Sequence, residues 1–151
     1  MAQISPLWAT VLIWIMLVTA LWALLSAGNG DRLWLRTPIA LYAGWLTAAS
    51  CVALGLMLAG HGILGERLAA LAMIVLALVI ALVIMSLRGD TPEYVGAVIW
   101  ALVGVVVANL GTANWAVLAL CTAGIVMLAL SAWQAHAGLS RADGLSRPDK
   151  R

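Results

Sequence analysis

The charges of this chain are gathered into four clusters, and the spaces between the clusters decide what it can fold into. Asp31 to Arg36, Glu66 with Arg67, Arg88 to Glu93, and Arg141 to Arg151 hold all eight basic and all six acidic residues. The stretches 1–30, 37–65, 68–87 and 94–140 contain no Asp, Glu, Lys or Arg. An α-helix rises about 1.5 Å per residue, so about 20 apolar residues cross a bilayer core of roughly 30 Å. With 65% hydrophobic and 9% charged residues, against about 25% charged in soluble domains, a soluble globule is excluded. A transmembrane barrel is excluded too, because its strands alternate polar and apolar residues and these stretches do not.

Punctuation within the stretches sets five spans. Leu7 to Ala27 is closed by Gly28-Asn29-Gly30. Thr37-Pro38 reads as an N-cap followed by proline at the first helical position, and that run ends at Gly60-His61-Gly62. Leu68 to Leu87 is nearly pure Ala, Leu, Ile, Val and Met. Thr91-Pro92 repeats the N-cap and proline signal. The stretch from Tyr94 to Ser140 is too long for a single span, and Gly111-Thr112-Ala113-Asn114 supplies a turn that ends in an N-cap. The expectation is an all-α integral membrane protein with helices at about 7–27, 38–60, 68–87, 92–110 and 115–135, together a transmembrane domain over 1–135. Residues 136–151 form a polar cytoplasmic tail, expected to be disordered from Gly138 and in weak contact with anionic headgroups at most.

Basic residues orient the bundle. The face holding the N-terminus carries only Arg67, while the other carries Arg32, Arg36, Arg88, Arg141, Arg147, Lys150 and Arg151. The N-terminus is therefore placed outside and the C-terminus in the cytoplasm. The first span is taken as a retained anchor and not a signal peptide, since residues 2–6 lack a positive n-region. Lys150 as sole lysine, beside heavy Ala, Leu, Val and Arg usage, points by compositional association to a bacterial inner membrane.

The residues that chemistry needs are scarce. No Asp, Glu, Lys, Arg or His lies in the interior of any span, which argues against an ion channel or proton pump. Cys51 and Cys121 lack a CxxC or a neighbouring histidine and read as packing residues, so no metal site is expected. His61 and His136 fall on opposite sides of the bilayer and cannot ligate one haem iron between them. Asn109 is a helix cap or an interhelical donor. No catalytic residue is assigned and the chain is read as a non-enzyme. Nucleic-acid binding is excluded by a net charge of only +2 spread over short loops, which makes no continuous basic patch.

Two features speak to binding and assembly. Trp8, Trp115, Trp34 and Trp133, with Tyr42 and Tyr94, sit at the interfaces as belt anchors. Trp14, Trp45 and Trp100 lie deeper, with Trp22 between the groups; they either pack or wall a cavity for a flat apolar ligand. Small residues recur at helical spacing as Gly44, Ala48, Cys51, Gly55 and Ala59, and as Ala97, Ala101, Gly104, Ala108 and Gly111. Such stripes let helices approach closely, either within one bundle or between subunits. The greasy third span suits a lipid-facing helix at the periphery or one docked in a larger complex.

The string TPIALYAGWLTAAS, Thr37 to Ser50, and within it Pro38, Leu41, Tyr42, Gly44, Trp45 and Thr47, resembles a segment of the bacterial tryptophan-rich sensory proteins, the TspO-like or peripheral benzodiazepine receptor-like group. A looser likeness runs from Asp90 to Gly104. The chain lacks the proline-rich first loop and the aromatic-Asn pattern of the last helix in the best-known members, so it is similar either to a divergent member or to the C-terminal part of longer ones. The resemblance implies a helical bundle binding a porphyrin or other tetrapyrrole, a carotenoid or other isoprenoid, or a sterol, often as a homodimer. It implies Tyr42, Trp45 and Trp100 as cavity residues. The competing class is a small accessory subunit of a photosynthetic or respiratory membrane complex.

Overall fold

A computed structural model describes residues 6–28, 32–112 and 114–145. They form five α-helices: α1 (Pro6–Ser26), α2 (Thr37–Gly60), α3 (Glu66–Leu87), α4 (Pro92–Asn109) and α5 (Trp115–Leu145). All five are long and apolar enough to cross a membrane, and no strand occurs among the described residues. Short connections make successive helices run in opposite directions. The ends carrying Arg36, Arg88 and Asp90 share one end of the bundle, called the basic end below; His61 and Glu66 lie at the other.

α2 is the central helix, packed against α1, α3 and α4, while α5 closes the bundle on α4 and α3. Its place follows from its small side chains: Ala40, Ala43, Gly44, Ser50, Cys51 and Gly55 are all buried, and small residues let three neighbours approach at once. A Cβ built on Gly44 would lie 2.8 Å from Ala97 Cβ and would overlap the Tyr94 carbonyl, so α2 and α4 nearly touch there. A Cβ on Gly124 would fall 2.8 Å from a Leu78 methyl, which marks the matching approach of α5 to α3.

Four local expectations change. The third span, expected at the periphery, buries Ala69, Ile74, Ala77, Leu78, Ala81 and Ile84 and contacts α2, α5 and α4; its alternation of small and branched residues gives it one packed and one lipid-facing side. Thr37 does not cap α2. A π-helical turn, Arg32–Arg36, runs straight into that helix, and the Thr37 hydroxyl instead donates to Glu93 Oε1 at 3.3 Å. Helix α5 continues to Leu145, where a disordered tail was expected from Gly138. Tyr94, expected as an interfacial anchor, is 0% exposed and meets Thr47 at 3.0 Å between the two hydroxyl oxygens.

Candidate functional site

At the basic end, polar side chains tie the connections together. The Arg36 guanidinium, buried at 3% exposure, pairs with the Asp90 carboxylate and donates to the Asp90 backbone carbonyl at 2.6 Å. Arg88 donates to the carbonyls of Leu24, Leu25 and Ala27, which satisfies acceptors that the end of α1 leaves open. The bond from Arg36 holds the Asp90 carboxyl below the usual carboxylate range, with the charges of Arg36 and Arg88 adding to the effect. None of the site residues proposed from sequence lies here. The cluster is a clamp: each charge faces a partner or a backbone acceptor.

The other half of the bundle is open. Beyond the Gly44 and Ala97 contact, the small residues of α2 and α4 no longer fill the space between α2, α3 and α4. A groove of about 640 Å³ remains. Ala48, Cys51, Val52, Gly55, Leu56, Ala59 and Gly60 line it from α2; Glu66, Ala69, Ala70, Met73, Ile74 and Ala77 from α3; Val98, Ala101, Leu102 and Val105 from α4. A shallower groove of about 370 Å³ adjoins it, sharing Ala48, Val52, Leu56 and Ala101 and adding Trp45, Ala49 and Ala53. A volume of this order suits a drug-sized apolar molecule.

The residues proposed from sequence are distributed over this architecture. Tyr42 is 45%, Trp45 58% and Trp100 77% exposed, so all three turn largely toward lipid. Trp45 forms a wall of the shallower groove, whereas Tyr42 and Trp100 line neither groove. Of the small residues, Gly44 and Ala97 meet at the helix contact, and Ala48, Cys51, Gly55 and Ala101 line the deeper groove. Gly104 and Ala108 face outward, and a Cβ on Gly104 would meet nothing within 4 Å.

The remaining candidates play local parts. Asn109 donates to Val105 O at 2.9 Å and its Oδ1 accepts from Thr112 and Asn114, which closes the turn into α5. His61 Nδ1 lies 2.8 Å from Met57 O, on the last turn of α2. Cys51 and Cys121 are both buried and unbridged, and the side chain of His136 lies outside the described residues. Among the described residues no group of three or more His, Cys, Asp or Glu side chains could hold a metal ion.

The α3 contribution to the groove escaped sequence reasoning. Ala69, Ala70, Met73 and Ala77 recur at steps of one, three and four along α3. Their signal is the same small-residue spacing that singled out α2 and α4, diluted by the leucines and valines of the lipid face.

Five apolar helices around an apolar groove, clamped at one end by paired charges, define a polytopic α-helical membrane protein whose deeper groove opens among its own helices. A family model described as TSPO-like protein matches residues 3–133, and the chain belongs to that family. No curated protein sequence and no solved structure matches it.

Proposed function

We propose that the protein is a non-enzymatic, membrane-embedded binding or sensory protein of the TSPO-like type, which holds a tetrapyrrole, an isoprenoid or a similar apolar ligand between α2, α3 and α4. The carrying observation is the groove itself: the small residues at positions 48, 51, 55 and 101 leave a volume of about 640 Å³ where larger side chains would have packed it shut. Its wall presents aliphatic carbon along nearly all its length, so close van der Waals packing against an apolar ligand, in competition with lipid chains, provides the affinity. The Cys51 thiol and the Glu66 carboxylate are the two side chains lining it that could act as a nucleophile or an acid-base group; every other lining residue is apolar or glycine. We place the protein in a bacterial inner membrane with the basic end in the cytoplasm, on the distribution of Arg32, Arg36, Arg88 and the basic residues after Ser140.

The test is titration of a porphyrin and of a carotenoid into the reconstituted protein, followed by tryptophan fluorescence. Saturable quenching is expected, reduced in amplitude by Trp45→Phe and abolished by Gly55→Leu or Ala101→Leu, with the ligand recovered unchanged. Non-saturable quenching that is identical in the groove-filling variants would overturn the reading.

A second reading, an accessory subunit of a larger complex, draws on the outward face of α4, where Trp100, Gly104 and Ala108 lie bare of any helix of this chain. Extraction in mild detergent separates the two: a small particle carrying a pigment band supports the binding protein, and co-elution with a large assembly supports the subunit.

A further inference from the structure

The groove is apolar along its length but not at its mouth. Of the side chains that line it, Glu66 alone carries a formal charge, and it sits beside Gly60 at the end far from the clamp. Two helix ends meet there. The C-terminus of α2 brings partial negative charge and the N-terminus of α3 partial positive charge, and these cancel to first order, leaving the Glu66 carboxylate as the net charge facing the groove. Arg67 follows it in sequence but does not line the groove. Among the described residues no basic side chain pairs with Glu66.

A carboxylate offers only acceptors, and its strongest partner is a charged donor. We infer that the groove selects an amphiphile whose apolar body fills the space between α2, α3 and α4 and whose head is a protonated amine placed at Glu66. The inference rests on the binding role proposed above and adds the polarity of the ligand and the direction in which it lies. A carboxylate head on the same body meets like charge at the mouth, and a neutral alcohol forgoes the ionic part of the bond. A zwitterionic phospholipid is a poorer occupant than a simple amine, because its ammonium is tethered to a phosphate that Glu66 repels.

The experiment uses the full chain in phosphatidylcholine nanodiscs and a matched series of dibrominated octadecyl amine, alcohol and carboxylic acid, whose bromines quench Trp45 on contact. In the wild type the amine binds roughly tenfold tighter than the alcohol, as expected of a hydrogen bond to a charged group, and the acid binds most weakly. Glu66→Gln brings the amine to the alcohol's affinity without changing the alcohol's, and Glu66→Lys makes the acid the tightest of the three. Equal affinity of amine and acid for the wild type, or an amine preference that survives Glu66→Gln, would overturn the inference. Saturable alcohol binding that Gly55→Leu abolishes would in that case leave the groove standing as a binding site. If no member of the series, and neither the porphyrin nor the carotenoid, binds saturably, both readings fall. Competition of phosphatidylethanolamine with the amine would also overturn it, by making a lipid headgroup the occupant.

Discussion

Arg36 and Asp90, separated in the chain by the whole of α2 and α3, form an ion pair at the basic end in which the arginine is buried and the aspartate stays 38% exposed. The two residues occupy equivalent places, each directly before a Thr-Pro that begins a helix, so the pair joins the start of α2 to the start of α4. Asp90→Asn keeps the shape and removes the carboxylate charge, while the Arg36 guanidinium retains its bond to the backbone carbonyl of residue 90. A hydrogen bond to a charged group contributes about 1.5–3 kcal/mol, and the exposure of Asp90 places the loss toward the lower figure. Unfolding in mixed micelles is the measurement, with Arg36→Lys expected to fall between wild type and Arg36→Met.

The same pair sets an acid limit on stability. Asp90 is held below its ordinary value of about 3.9 by the hydrogen bond from Arg36. A carboxyl whose folded pKa is depressed contributes stability above its unfolded pKa and loses it as pH falls through the folded one. The thermal midpoint is therefore expected to be insensitive to this group above about pH 5 and to fall below about pH 4. Asp90→Asn should flatten that part of the profile; a slope unchanged by the substitution would assign the acid limit to another group.

Arg88 supports the end of α1 from sixty residues away in the chain by donating to the carbonyls of Leu24, Leu25 and Ala27. Arg88→Met retains much of the stem and removes the donors. Amide exchange at Ala27, whose N–H bonds to Ala23 O at 2.9 Å, is expected to rise, together with cleavage after this helix by added protease. Exchange at the start of α5 near Trp115, at the opposite end of the bundle, should stay as in wild type.

Glycines on α4 and α2 separate packing from open space. A methyl at position 44 collides with Ala97 and with the backbone of Tyr94, so Gly44→Ala is expected to destabilise by about 1–3 kcal/mol, as overpacking does. At Gly104 a methyl meets nothing within 4 Å, and Gly104→Ala is expected to be neutral or to stabilise by up to about 1 kcal/mol through helix propensity. Equilibrium unfolding of the two variants in the same detergent reads the contrast directly.

How far the sequence showed this arrangement can be judged residue by residue. The uncharged stretches disclosed five spans because a bilayer imposes a length and tolerates few charges, constraints that act on each helix alone. Gly44 and Ala97 stood out as small residues, but spacing alone could not say that they touch while Ala48, Gly55 and Ala101 face a groove. That depends on how α2 and α4 lie across each other. Trp45 and Trp100 were conspicuous for their depth, yet depth does not give azimuth, and both turn largely toward lipid. The clamp had a signal that went unused: Arg36-Thr37-Pro38 and Asp90-Thr91-Pro92 place opposite charges at matching helix starts on one side of the membrane. Tyr94 was misplaced because an aromatic residue near a helix end fits an interfacial belt as well as a core, and only the proximity of Thr47 on another helix decides between them.

That buried pair gives the last prediction. The Thr47 hydroxyl donates to Ala43 O at 2.9 Å and lies 3.0 Å from the Tyr94 hydroxyl, so with the threonine proton committed to its own helix the tyrosine is the donor between helices. Tyr94→Phe removes that donor and leaves Thr47 bonded to Ala43. Thr47→Val removes both bonds and strands the tyrosine O–H in an apolar core, which costs more than losing the bond itself. Interhelical hydrogen bonds in membranes average about 0.6 kcal/mol. The Tyr94→Phe variant is therefore expected to lose roughly that amount, Thr47→Val to lose more, and the double variant to be more stable than Thr47→Val alone. A double-mutant cycle in bicelles measures it. Additive losses would show that the two hydroxyls are not coupled, and that α2 and α4 are held at this level by the Gly44 contact alone.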